Sequence, residues 1–242
     1  MFTKIKNSIP NTITSLNLSS GVIAIILASD NKLEYAGLFI IIGAIFDFFD
    51  GFAARLLNAK SPIGKDLDSL ADVVTFGVAP AFILVQMFVK FDFCQNLVFN
   101  RPLVSYLPIL FAVFSALRLA KFNIDTRQTE NFIGLATPAA SLFIAGIAML
   151  NWGDVSNPVS QFLINPVFLI VALLALCFLM VSEIPLFSLK IKNISWKDNY
   201  YRYVLLLLSV ALLSILQFMA IPLIIVVYII ISLSVYQKLK NN

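Results

Sequence analysis

Histidine is absent from this sequence of 242 residues, and cysteine occurs only at Cys94 and Cys177. The lack of histidine excludes Ser-His-Asp triads, histidine-ligated metals and histidine acid–base catalysis. Because neither cysteine belongs to a CxxC motif, we expect neither a disulfide framework nor a zinc site. Any chemistry must therefore come from carboxylates, hydroxyls, lysine, arginine and bound cations.

Charge is also scarce, since only 12% of the residues are charged while 60% are hydrophobic, and the mean hydropathy is +0.93. A soluble domain has about 25% charged and about 45–50% apolar residues, so this chain cannot cover itself with a water-compatible surface. The net charge of +4 does not indicate a nucleic-acid partner, because no basic run contains interleaved aromatic residues. The composition predicts a polytopic membrane protein.

Apolar runs separated by short polar stretches predict an all-α bundle of about eight transmembrane helices that forms a single domain over residues 1–242. A membrane-spanning helix needs roughly 20 apolar residues, so eight helices would use most of the chain. The predicted spans are Leu16–Ala28, Leu33–Leu57, Leu70–Val89, Leu103–Ala120, Ala136–Trp152, Val167–Leu186, Tyr203–Gln217 and Ala220–Tyr236. A tight hairpin around Met219–Pro222 would have to join the last two.

The lysine and arginine residues are distributed unequally between the two sides of this layout. With the N-terminus inside, 14 of the 17 lie in segments on the inner side, and only Lys32, Lys90 and Arg101 lie outside. Cytoplasmic loops of membrane proteins collect lysine and arginine. The distribution therefore predicts that both termini face the cytoplasm.

Acidic residues are concentrated where the second predicted span ends and the third begins. Asp47 and Asp50 are three residues apart, and Asp68 and Asp72 are four apart, so each pair shares one helical face. The loop between them contains Ser61, Pro62 and Gly64 and would turn the chain back, so that the two helices lie antiparallel. We expect the four carboxylates to converge near the cytoplasmic surface, with Asp66 pointing away as a solvated or capping residue.

Four close carboxylates repel one another in a low-dielectric setting unless cations neutralise them. A donor set made only of oxygens suits Mg²⁺ or Mn²⁺, and two such ions could hold a pyrophosphate. Gly51 and Ala54 leave room for a bulky ligand beside the acids, and Arg55 could pair with a phosphate or an aspartate. The alternative is that these charges only mark helix ends at the membrane edge.

The stretch from Asp47 to Asp72 fits the pattern D-x2-D-G-x2-A-R-x8-G-x3-D-x3-D and resembles the signature of the CDP-alcohol phosphotransferases, membrane enzymes of phospholipid synthesis. The resemblance implies a six-helix catalytic core at about 10–190 and two extra helices at about 200–237. It also implies a homodimer and a cytoplasm-facing cavity with two divalent ions. Asp47, Asp50, Asp68 and Asp72 would be the metal ligands, with Asp72 as the general base. The residues expected to bind the CDP group and its phosphates are Asn17, Gly51, Ala54, Arg55, Ser61 and Gly64.

Three further segments, Val73–Ala81, Ser115–Asn123 and Phe132–Ala140, resemble the phosphatidylserine synthase branch of the family. Lys121 stands where that branch often has arginine, and Ala136 where it often has proline. The branch implies CDP-diacylglycerol, L-serine and CMP as substrates and product, in a bacterial inner membrane. Because a zwitterionic amino acid needs a cation for its carboxylate, Arg118, Lys121 and Asn123 are the candidate serine-binding residues.

Other interpretations remain open from the sequence. The acceptor could instead be glycerol 3-phosphate, inositol phosphate or choline, and Arg118 and Lys121 could be positive-inside anchors. Embedded acids are also typical of cation or phosphate transporters, although those acids would be spread along several helices. Glu183 is a further embedded acid that could pair with a neighbouring cation or close the cavity.

Overall fold

The computed structural model describes residues 2–59, 61–91, 97–98, 101–125, 131–150, 158–188 and 195–240. Most of the described chain is helical, and the strands are only two or three residues long. The helices are α1 (Phe2–Ser29), α2 (Leu33–Leu56), α3 (Gly64–Asp72), α4 (Ala79–Phe88), α5 (Ile109–Ile124), α6 (Thr137–Ala148), α7 (Pro158–Leu163), α8 (Pro166–Val181), α9 (Trp196–Leu216) and α10 (Ala220–Lys240). The strands are β1 (Leu97–Val98), β2 (Arg101–Pro102), β3 (Asn131–Ile133) and β4 (Pro185–Phe187).

Five stretches of the described chain are long and apolar enough to cross a membrane, so the protein is an integral membrane protein with an all-α bundle, as predicted. They are Lys6–Ser29, Leu33–Leu56, Gly64–Phe88, Leu103–Ile124 and Asn199–Tyr236. The last stretch contains two helices, because the chain breaks at Gln217 with φ of 50°. Helices α6 and α8 are also apolar but shorter.

Seven of the eight predicted spans coincide with one helix each, and the third covers the end of α3, a π-helical turn and α4, but several boundaries differ. The first helix starts at Phe2 rather than Leu16, so its polar N-terminal half is helical as well. The sixth span was predicted to reach Leu186, but α8 ends at Val181 and the chain becomes extended at Ser182. Pro185 at the start of β4 has no N–H to donate to the Val181 carbonyl, so the helix cannot continue through it. The predicted end of the fifth span, Trp152, lies outside the described residues.

Small residues let the first three spans approach closely. A Cβ atom added at Gly43 of α2 would lie 2.5 Å from Thr75 Cγ2, and one added at Gly21 of α1 would also meet Thr75. The Thr75 hydroxyl donates to the backbone oxygen of Asn17 at 2.9 Å. Larger residues at these two glycines would therefore separate α1 and α2 from the third span.

Helix α3 continues into α4 through a π-helical turn at Val73–Val78, directly after Asp72. Pro80 explains this turn, because its ring nitrogen cannot donate to the carbonyl four residues earlier and its ring clashes with that carbonyl. The wider turn changes the direction of the side chains after Asp72. Thr75, Phe76 and Gly77 are consequently all buried.

The end of α8 is held by a short antiparallel pair, in which β3 lies beside β4 with Phe132 opposite Leu186. Gly134 follows β3 with φ of +74°, and its N–H donates to the Ile184 oxygen at 2.8 Å. The C-terminal helices pack over this pair, where the Tyr228 hydroxyl donates to the Phe187 oxygen at 2.9 Å. The turn between α9 and α10 is at Gln217–Met219, slightly before the predicted hairpin.

Candidate active site

Three of the predicted acids meet at one end of the bundle. Carboxylate oxygens of Asp47, Asp50 and Asp68 lie within 4.8 Å of one another. Asp47 and Asp50 come from the last turns of α2, and Asp68 from the first turns of α3, because the connection folds these helices back on each other. Asp66 is exposed, as expected for a residue on the opposite face.

Asp72 lies one turn further along and outside that group of three. It is 8% exposed, and its Oδ1 accepts a hydrogen bond from Asn17 Nδ2 at 3.2 Å. The Arg118 guanidinium on α5 interacts electrostatically with the Asp72 carboxylate. The π-helical turn that follows Asp72 packs against α5, the helix that carries the buried Arg118.

Helix α1 supplies polar side chains to the acids. The Thr14 hydroxyl donates to Asp50 Oδ2 at 2.7 Å, and Asn17 is fully buried beside Asp72. Asn17 was among the residues predicted to bind the CDP group and its phosphates, whereas Thr14 was not predicted. Asn11, Thr14 and Asn17 recur every three residues and so share one helical face, although Thr12 and Ser15 between them are polar as well. That spacing was the signal that could have found Thr14.

The acids fit a hard divalent cation. Among the described residues, Asp68 Oδ1 and Asn17 Oδ1 are buried acceptors without a hydrogen-bond partner. A buried unpaired acceptor is costly, and clustered carboxylates repel one another, so a bound cation would relieve both penalties. Oxygen donors alone suit Mg²⁺ or Mn²⁺ rather than a softer metal.

A cavity of about 470 Å³ opens beside the acids, and we call it the α1–α3 cavity. Its lining residues are Pro10, Asn11, Thr14, Asp50, Gly51, Ala54, Ala59, Ser61, Gly64, Lys65 and Asp68. Among the described residues, a Cβ atom added at Gly51 would have only Arg55 Nη1 within 4 Å, at 3.6 Å, so the space there is open. Four residues expected to bind the CDP group line the cavity, whereas Asn17 and Arg55 are not in its lining.

A second cavity of about 320 Å³ lies between the ends of α5 and α8, and we call it the α5–α8 cavity. Its lining residues are Arg118, Lys121, Ile124, Asp125, Ile133, Met180, Val181, Ser182 and Glu183. Arg118 is 7% exposed, and its guanidinium lies 4.8 Å from the centre of the Phe122 ring. This cavity brings Glu183, whose role the sequence left open, to the predicted serine-binding cations Arg118 and Lys121.

The side chain of Asn123 points towards α3. Its side-chain amide donates to Ser69 Oγ at 2.8 Å, and its backbone oxygen accepts from Lys65 Nζ at 2.9 Å. These two bonds join the end of α5 to α3. Asn123 is not in the lining of the α5–α8 cavity.

Known proteins of similar sequence were found by two comparisons. The family model described as CDP-alcohol phosphatidyltransferase matches residues 7–227. A CDP-diacylglycerol–serine O-phosphatidyltransferase of Bacillus subtilis (strain 168) is 36% identical over 179 residues, which cover 74% of this chain and 89% of the relative. An enzyme of the same name from Methanocaldococcus jannaschii is 33% identical over 196 residues, with 75% and 87% covered. An archaetidylserine synthase of Methanothermobacter thermautotrophicus is 36% identical over 140 residues, with 57% and 56% covered.

Proposed function

The chain belongs to the CDP-alcohol phosphatidyltransferase family, and from that premise we propose that it transfers the phosphatidyl group of CDP-diacylglycerol to the hydroxyl of L-serine. Phosphatidylserine and CMP are the products. Two relatives that cover most of this chain carry the name of that reaction. The observation that carries the proposal is the group of three carboxylates beside the α1–α3 cavity, with Asp72 buried one turn further along α3.

The α1–α3 cavity is the proposed site of CDP-diacylglycerol. Asp47, Asp50 and Asp68, together with Asp72, would hold two ions of Mg²⁺ or Mn²⁺. Such ions would neutralise the pyrophosphate and the negative charge on the departing CMP. Gly51 leaves open space for the nucleotide, and Thr14 fixes the orientation of Asp50.

Asp72 is the proposed general base. Its Oδ1 accepts the Asn17 amide, so its second oxygen is available for the proton of the serine hydroxyl. The serine oxygen forms a bond to the phosphorus that carries diacylglycerol, and the bond from this phosphorus to the CMP oxygen breaks. General-base catalysis typically accelerates such a step by about 10²–10⁴-fold.

Arg118 and Lys121 are the proposed partners of the serine carboxylate. Both line the α5–α8 cavity, and Arg118 is held in place by burial and by Phe122. Because the π-helical turn after Asp72 packs on α5, a carboxylate bound at Arg118 would keep the serine hydroxyl near the base. The observed contacts of Asn123 support a linking role for it rather than contact with serine.

The distribution of lysine and arginine supports a cytoplasmic position for the acid end of the bundle. The resemblance to the phosphatidylserine synthase branch implies a bacterial inner membrane. The family resemblance also implies a homodimer. Helix α2 exposes Phe48, Phe49 and Phe52, which would face lipid or a second copy of the chain. Cross-linking in membranes would distinguish the two.

The test supplies detergent-purified protein with CDP-diacylglycerol, Mg²⁺ or Mn²⁺ and one radiolabelled acceptor at a time, followed by lipid extraction. The proposal predicts labelled lipid and stoichiometric CMP with L-serine. Labelled lipid only with glycerol 3-phosphate, inositol phosphate or choline would reassign the acceptor. Ion flux in vesicles without release of CMP would contradict phosphatidyl transfer altogether.

A further inference from the structure

The α5–α8 cavity contains acidic as well as basic side chains. Glu183 and Asp125 line the same cavity as Arg118 and Lys121. A phosphorylated acceptor would gain from the two cations but would be repelled by the two carboxylates. An α-amino acid carries both an anionic and a cationic group, so it complements both kinds of side chain.

Glu183 stands on a segment that is fixed at both ends. The chain leaves α8 at Ser182 in an extended conformation, and β4 begins at Pro185. Before Glu183, the Leu135 N–H donates to the Leu179 oxygen at 2.8 Å, and after it the Gly134 N–H donates to the Ile184 oxygen at 2.8 Å. The segment therefore holds Glu183 at the cavity while leaving its side chain exposed to a water-borne substrate.

Gly134 allows these two hydrogen bonds to form. Its φ of +74° is rare for residues with a side chain, and an added Cβ would lie 2.6 Å from the Met180 oxygen. The loop after β3 thus packs directly on the last carbonyls of α8. The position of Glu183 depends on a contact between two distant parts of the chain, not on a flexible loop.

We infer that Glu183 binds the α-ammonium group of the amino-acid acceptor and so determines specificity for an amino acid over other alcohols. This inference rests on the proposed function. Arg118 and Lys121 bind the carboxylate, Glu183 binds the ammonium, and the hydroxyl remains for Asp72. Asp125, which follows α5 in an extended conformation, supplies further negative charge to the same cavity.

The test compares the wild-type enzyme with Glu183→Gln, using L-serine as substrate and L-glycerate as a competing ligand. L-Glycerate has a hydroxyl in place of the ammonium group. We expect Glu183→Gln to raise the KM for L-serine about 10- to 100-fold, the usual range for losing a hydrogen bond to a charged group, with kcat changed less than about threefold. The inhibition constant of L-glycerate should stay the same or fall.

Two further variants serve as controls. Glu183→Asp keeps the charge and should recover part of the affinity for L-serine. Glu34→Gln makes the same chemical change at the first turn of α2, at the opposite end of that helix from the acids, and should leave the KM for L-serine unchanged. Binding of CDP-diacylglycerol should be equal in all variants.

The outcomes separate this inference from the proposed function. An unchanged KM for L-serine in Glu183→Gln would overturn the inference alone. A parallel loss of L-serine and L-glycerate affinity would overturn it too, because it would mean that Glu183 only orients Arg118 or Lys121. Failure of the wild-type enzyme to use L-serine, with another acceptor accepted, would overturn the proposed function and the inference with it.

Discussion

The α1–α3 and α5–α8 cavities lie at the same end of the bundle but differ in how their charges are balanced. The first adjoins three carboxylates within 4.8 Å of one another, with buried oxygen acceptors that have no hydrogen-bond partner. The second places two cations and two carboxylates in one lining. The first therefore needs cations from solution, whereas the second complements a molecule that carries both charges itself.

The cavities also differ in how the chain builds them. The α1–α3 cavity comes from three helices that follow one another directly, and its polar residues are linked to one another by side-chain hydrogen bonds. The α5–α8 cavity joins the end of α5 to the end of α8 and depends on the β3–β4 pair. Asp72 and Arg118 connect the two regions. Substitutions in the first cavity should therefore impair metal binding, and substitutions in the second should impair binding of L-serine.

The largest effect is expected from Asp72→Asn, at the residue between the two cavities. We expect kcat to fall by about 10²–10⁴-fold, because the amide cannot take the proton of the acceptor hydroxyl. Binding of CDP-diacylglycerol should persist, since the group of three acids remains. Initial rates together with equilibrium binding check this. Undiminished turnover of a purified, folded variant would remove Asp72 from its assigned role.

A smaller effect, confined to the second cavity, is expected from Arg118→Lys. Lysine keeps the charge but loses the planar fork that binds a carboxylate through two hydrogen bonds. The KM for L-serine should rise by about 10- to 50-fold, while the affinity for Mn²⁺ stays the same. If metal affinity fell as much as serine affinity, the two cavities would not be functionally separate.

Thr14→Val should weaken metal binding at the first cavity and leave the KM for L-serine unchanged. The substitution keeps the shape of the side chain and removes the hydroxyl that donates to Asp50. Loss of such a supporting bond typically weakens metal binding, here by about tenfold. At saturating metal, the KM for L-serine should not change. Thr12→Val is the matched control, because the Thr12 hydroxyl is exposed and donates to the Ser8 oxygen of its own helix.

The smallest effect on catalysis is expected from Asn123→Ala. Its amide donates to Ser69 on α3, so the variant should lose about 1 kcal/mol of stability, with the KM for L-serine changed less than about threefold. Thermal unfolding in detergent and steady-state kinetics measure the two quantities, and Ser69→Ala should show the same loss of stability. A rise in KM as large as that of Arg118→Lys would instead place Asn123 in contact with serine.

The first cavity could be predicted from the sequence because most of its acids lie in two adjacent helices. Spacings of three and four residues place Asp47 with Asp50 and Asp68 with Asp72 on common faces before any tertiary contact is known. The short turn between the helices then requires the pairs to meet. Thr14 was not predicted because it is one of several hydroxyls in α1, and its partner is known only once α1 is placed beside α2.

The second cavity was only partly predictable. The sequence shows that Arg118 and Lys121 are cations at the end of a predicted span. Their position beside α8 depends on how the helices pack, which the sequence pattern does not show. The role of Glu183 depends on where α8 ends, and hydropathy alone extended that span to Leu186. Pairing of β3 with β4 ends it earlier, and this pairing joins segments far apart in the chain. The eight helices, in contrast, follow from local composition.

The central claim is that the acids at the α2–α3 turn bind the ions which hold the liponucleotide. Measuring Mn²⁺ binding to the purified protein tests this claim most directly. Electron paramagnetic resonance would follow free Mn²⁺ during titration of the wild-type protein, Asp68→Asn and Asp66→Asn with CDP-diacylglycerol present. Asp66 is exposed on the same helix and is the matched control. We predict saturable binding in the wild-type protein and in Asp66→Asn, with an affinity weaker by at least about 100-fold in Asp68→Asn. Equal binding by Asp68→Asn and the wild-type protein would contradict the account.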